Sequence, residues 1–89
     1  MMTKIYKYTI ILAEYQTIQV PKGATILCAQ MQNDNLWVWA EVDTNPERET
    51  EDRDIYVYGT GHEMYYDIPQ RYISTVQDRG FVWHVYEGL

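Results

Sequence analysis

The sequence predicts an all-β fold, a small antiparallel β-sandwich or partly open barrel of about seven short strands. Three observations predict it. Apolar and polar residues alternate with a period of two through most of the chain, and clusters of Gly, Pro, Asn and Asp recur between these runs. No stretch carries the helical period that would let a helix cover a sheet face. With 89 residues, the chain makes one domain, 1–89, around one core.

The elements follow in order. In "KIYKYTII", Tyr6, Tyr8 and Ile10 alternate with Lys7 and Thr9, as a strand requires. A second run, "YQTIQV", ends at Pro21, and "KGA" supplies a turn before "TILCAQMQ". Asn33, Asp34 and Asn35 tolerate left-handed backbone and predict a tight hairpin into "LWVWAEVD". There Leu36, Val38, Ala40 and Val42 share one face and Trp37, Trp39, Glu41 and Asp43 the other. Because both faces begin hydrophobic, the Trp face is expected to be covered by a sheet, a loop, another subunit or a ligand. After an acidic loop at 44–52, "RDIYVYG" closes at Gly59. "RYISTVQ" and "FVWHVYE" form a hairpin around "DRG", with Gly80 taking positive φ in a three-residue loop. Between Gly59 and Arg71, "TGHEMYYDIPQ" has no clear period, and Pro69 argues against a central strand. It reads as a long connection.

Composition excludes several function classes. Seven Lys and Arg against thirteen Asp and Glu give a net charge of −6, which repels a polyphosphate, so duplex nucleic acid is not an expected partner. Seven of the acids fall between Glu41 and Asp54, the pattern of a solvated acidic loop. Cys28 is alone, so no intramolecular disulfide forms and a cytosolic product is expected. No window approaches the roughly 20 apolar residues that span a bilayer, and no membrane partner is expected.

Catalytic signatures are lacking, and no catalytic residue is assigned. "GTGHE", Gly59, Thr60, Gly61, His62 and Glu63, lacks the Lys-Ser/Thr ending of a phosphate loop, but its glycines allow backbone N–H groups to converge on an anion. His62 and Glu63 would act together as acid and base only if the loop folds back, since neighbours on an extended chain point to opposite faces. His84 reads as a packed, hydrogen-bonded strand residue. Two histidines 22 positions apart, without a carboxylate cluster, make no zinc site, and no metal or cofactor is expected. Cys28 and Ser74 sit mid-strand rather than on the exposed elbow a nucleophile needs. Binding asks for less. Trp37, Trp39, Trp83, Tyr56 and Tyr58 offer rings for a planar base, and Arg71, Arg79 or Arg53 a fork for phosphate, although aromatics in a small β-protein ordinarily fill its core.

The segments "KIYKYTI", "QTIQVPKGATIL", "LWVWAEVD", "GTGHE" and "YISTVQDRGFVWHVYE" together resemble a family of small uncharacterised bacteriophage proteins. Lys4–Tyr8, Gln16–Ala24, Gly59–His62 and Val82–Glu87 carry the likeness. The resemblance implies a phage accessory protein in the host cytoplasm. By analogy with other small phage proteins, it implies a non-enzymatic anti-defence sponge for a small nucleotide signal, held at the "GTGHE" backbone, Arg71 and the Trp rings of a homo-oligomer. The other expectation is a module that binds a host or phage protein through its exposed aromatics.

Overall fold

The computed structural model describes residues 2–89, which form β1 (Thr3–Ile10), β2 (Tyr15–Pro21), β3 (Thr25–Gln32), β4 (Asn35–Asp43), β5 (Thr50–Gly59), β6 (Gln70–Asp78) and β7 (Phe81–Gly88). All pairings are antiparallel. A three-stranded sheet ordered β1-β4-β3 faces a four-stranded sheet ordered β2-β5-β7-β6. The Cα extents of 42 × 33 × 15 Å fit two sheets stacked about 10 Å apart. The sandwich, rather than a closed barrel, is the architecture.

Two hairpins set the registers. Asn33 and Asp34 have φ of 52° and 64°, so the β3–β4 turn has two residues, both left-handed, which matches strand twist. Arg79 and Gly80, at 52° and 87°, do the same between β6 and β7. That loop is one residue shorter than the sequence suggests, because Asp78 pairs with Phe81. The acidic loop is also shorter. Thr50–Asp54 join β5 and pair with Pro21–Thr17 of β2. Strand geometry is tolerable there because Glu51 accepts from Arg53 Nε at 2.8 Å and from Gly23 N at 3.1 Å, bonds that lower the Glu51 pKa.

The core between the sheets is aliphatic: Ile18, Val20, Ile26, Val38, Ala40, Val42, Ile55, Val57, Val76 and Val85 are all buried. The expectation that aromatics fill the core holds only at its margin, where Tyr8 and Trp83 pack half-buried against it. Branched side chains from both faces fill the rest of a gap only about 10 Å thick, and Tyr56 and Tyr58 are buried on the outer side instead.

Much of the ring surface collects on the outer face of the four-stranded sheet. β5 and β6 lie on either side of β7 and run parallel, so the chain must return along the sheet between them. Gly59 leaves beside Trp83, whereas Gln70 enters beside Gly88 at the other end of β7. Residues 60–69 thus form a strap across the outer face, and Tyr56 and Tyr58 lie buried although they point away from the core. Tyr65 of the strap meets Tyr56 edge-on with centroids 6.0 Å apart, and Tyr86 meets Tyr58 at 5.8 Å. Polar bonds fix the strap's far end: Tyr58 Oη donates to Gln70 Oε1 at 2.9 Å, and Gln70 Nε2 donates to Tyr65 O at 2.8 Å.

Burial raises the Tyr56 and Tyr58 pKa values above the ordinary phenol value of about 10. The unfolded chain loses these protons first, so their contribution to stability is complete below about pH 10 and disappears as pH rises through the native values. Ultraviolet titration should show the tyrosinate phase of Tyr56 and Tyr58 above about pH 10, coinciding with loss of β circular dichroism.

Candidate functional site

Gly59–His62 is a tight turn in which His62 N donates to Gly59 O at 3.0 Å. Gly61, its third residue, has φ of 86°, the sign a type II turn needs at that position. Gly59 is required for a different reason. A Cβ there would stand 2.7 Å from His62 Cε1, because the imidazole folds back over the glycine. The ring also meets Trp83 edge-on, with centroids 6.3 Å apart. The turn folds His62 back toward Trp83; Glu63 shares with it only the lining of the larger cleft.

Two clefts flank the His62–Trp83 pair. The larger, about 530 Å³, lies at the end of the sandwich and is lined by Leu12, Glu14, Val57, Tyr58, His62, Glu63 and Trp83. The smaller, about 320 Å³, is bounded by Gly59, Thr60, His62, Val82, Trp83 and Phe81, the last with its ring stacked 6.2 Å from Trp83. Glu14 and Glu63 bring negative charge to the larger cleft, and no Lys or Arg lines either one. Trp83 Nε1 is buried and has no hydrogen-bond partner among the described residues.

The other expected site residues lie elsewhere. Trp37 and Trp39 are half-buried on the outer face of the three-stranded sheet. The cover over Trp37 is local: Lys7 Nζ stands 4.2 Å from its ring centroid and donates to Gln32 Oε1 at 2.8 Å, while Trp37 Nε1 donates to Gln32 O at 3.1 Å. Arg71 is committed within the fold. Its Nε donates to Glu87 Oε1 at 2.7 Å and its Nη2 to Ile26 O of the facing sheet at 2.9 Å. Arg53 approaches the other Glu87 oxygen at 3.5 Å and also donates to Ala24 O. Glu87 is four strand positions from Trp83, about 13 Å away. Gly59–Glu63 and Trp83 thus come together; Arg71, Trp37 and Trp39 do not join them.

His84 is bonded at both nitrogens. Nε2 lies 2.7 Å from Thr60 Oγ1 and Nδ1 3.0 Å from Thr75 Oγ1, which in turn lies 2.7 Å from Tyr72 Oη. The ring fastens the first residue of the strap to β6. Among the described residues, no three His, Cys, Asp or Glu side chains converge to hold a metal.

Over residues 1–89 the sequence matches the domain of unknown function DUF7352. The chain belongs to this uncharacterised family. Neither curated proteins nor solved structures give a match. For this DUF7352 domain, then, the cleft itself carries the functional argument. Leu12 and Glu14 of the cleft have no motif to mark them, since they lie in a connection whose position depends on Val57 N donating to Glu14 O at 3.3 Å. The Arg71–Glu87 pair does have a signal: the two residues are almost symmetric about the Arg79–Gly80 turn, so a hairpin brings them together.

Proposed function

We propose that this DUF7352 domain is a non-enzymatic recognition module that takes an apolar or aromatic, positively charged side chain of a protein partner into the cleft beside Trp83. The observation that carries this reading is the cleft's chemistry. Leu12, Val57, Tyr58 and Trp83 provide apolar wall, the charged side chains lining it are Glu14 and Glu63, and two of the arginines suited to phosphate, Arg53 and Arg71, are bonded to Glu87, while the third, Arg79, lies beside Asp78 in the β6–β7 turn and lines neither cleft. A ring-lined seat with a carboxylate rim favours a desolvated cation, and the net charge of −6 adds attraction at long range.

A second reading is favoured by the smaller cleft. It lies against the "GTGHE" turn, offers the Phe81 and Trp83 rings for stacking and presents no charged side chain, which suits the base of a small nucleotide. The likeness to phage proteins supports either role in a host cytoplasm, as an interaction module or as an anti-defence sponge.

Calorimetric titration separates them. A short basic peptide containing Trp and Arg should bind, its acidic counterpart should not, and a cyclic dinucleotide should bind more weakly than the basic peptide. Gly59→Ala, which must displace the His62 ring, and Glu63→Lys should each weaken peptide binding about tenfold, equivalent to about 1.4 kcal/mol. Tight nucleotide binding with no affinity for the basic peptide would replace the first reading by the second.

A further inference from the structure

The four sheet edges are unequally protected. β3 and β6 guard each other. Each carries an irregularity in its register, between Ile26 and Cys28 and between Tyr72 and Ser74, and Ala29 N donates to Ser74 Oγ across the gap at 2.9 Å. Arg71 occupies the Ile26 carbonyl of β3, and Arg53 that of Ala24 just before the strand. β2 exposes Thr17 and Gln19 and runs into Pro21, which has no N–H to offer. β1 has none of these devices. It pairs with β4 in unbroken register from Thr3 to Ile10, and its other side has no strand partner.

Lysine, the usual guard of a sheet edge, is present in that role only near one end of β1, where Lys4 is exposed. Lys7 turns back over its own sheet, onto Trp37 and Gln32, instead of projecting from the rim. Apolar side chains on both faces of β1 are left open: Ile5 on the outer face is 60% exposed, and Tyr6, although it points to the core side, is 46% exposed. Met2, Ile11 and Leu12 extend the exposed apolar surface at the strand's ends.

We infer that β1 is a homodimerisation edge, with a second copy of this chain as its occupant. Two antiparallel β1 strands join the two three-stranded sheets into one continuous six-stranded sheet with a twofold axis at Tyr6. Side-chain charge selects this register. With the axis at Tyr6, Ile5 faces Lys7 of the second copy, Lys4 faces Tyr8, and Thr3 faces Thr9, so no like charges are opposed. An axis at Lys7 would set two ammonium groups face to face. An axis at Ile5 would leave Thr9 and Ile10 without partners. Because facing residues must lie on the same side of a sheet joined by a perpendicular twofold axis, intermediate registers are excluded.

Sedimentation velocity on the full chain, from micromolar to near-millimolar concentration, should show reversible conversion to twice the mass of one chain. Ile5→Lys should remain monomeric at the concentrations where the unmodified chain is dimeric. The double variant Tyr6→Cys, Cys28→Ser should form a disulfide-linked dimer under mild oxidation, since facing Cα atoms about 4.5–5.5 Å apart lie within disulfide reach. Tyr8→Cys, Cys28→Ser should cross-link far more slowly, because the new thiol faces Lys4. A chain that stays monomeric throughout, or cross-linking that is no faster at position 6 than at position 8, overturns the inference.

Discussion

Ile55→Ala should lower stability by about 3–4 kcal/mol, read as a fall in the urea midpoint at unchanged slope. Ile55 is fully buried at the centre of the four-stranded sheet, between Gln16 of β2 and Glu87 of β7, with its side chain in the aliphatic core. Removing three carbons forfeits their transfer from water and leaves a void that strands fixed on both sides cannot collapse to fill. A domain of this size has only about 5–15 kcal/mol to lose, so the variant should unfold well below the temperature of the parent. A comparable truncation on the exposed rim, Phe81→Ala, should change stability little, since Phe81 is 64% exposed. If both substitutions cost the same, the separation of an aliphatic interior from an aromatic exterior is wrong.

Glu87→Ala should cost about 3 kcal/mol, at the lower end of the range for breaking a buried ion pair, because Arg71 keeps access to water. The loss has two parts. Arg71 loses the carboxylate that holds its guanidinium beneath Ile26 O of β3, and Arg53, which keeps Glu51 at 2.8 Å, loses its longer contact to Glu87 while it reaches Ala24 O. Glu87→Gln should cost less, since its amide oxygen still accepts a bond. Denaturant unfolding of the three proteins gives the order directly. A Gln variant as stable as the parent, with the loss confined to the Ala variant, would show that packing, rather than charge, is what Glu87 supplies.

The strands and turns were legible because they depend on local chemistry. Alternation separated Val38 and Ala40 from Trp37 and Trp39 onto two faces, which the fold makes inner and outer, and Asn33-Asp34 and Gly80 marked both hairpins. What alternation cannot reveal is the sheet to which a strand belongs, or what covers its second face. For that reason the strap over Tyr56 and Tyr58 was invisible: residues 60–69 have no period of their own, and their course follows from β7 inserting between β5 and β6. The candidate site was legible in part for the same reason. Gly59–His62 announced a turn by its glycines, and Trp83 faces Gly59 across a strand pair. Arg71 looked available because its partner Glu87 is found only once the hairpin register is drawn.

The three indole N–H groups provide the most direct test of the proposed recognition surface, because they report on separate places. Trp83 lines the clefts, Trp37 is bonded to Gln32 O on the other sheet, and Trp39 lies beside Lys7 and Cys28 in the β1–β4–β3 register. In a two-dimensional proton–nitrogen spectrum titrated with the basic Trp- and Arg-containing peptide, the Trp83 indole signal should move while those of Trp37 and Trp39 stay fixed. Movement of Trp37 or Trp39 with Trp83 unchanged would place recognition on the opposite face of the sandwich and contradict the account.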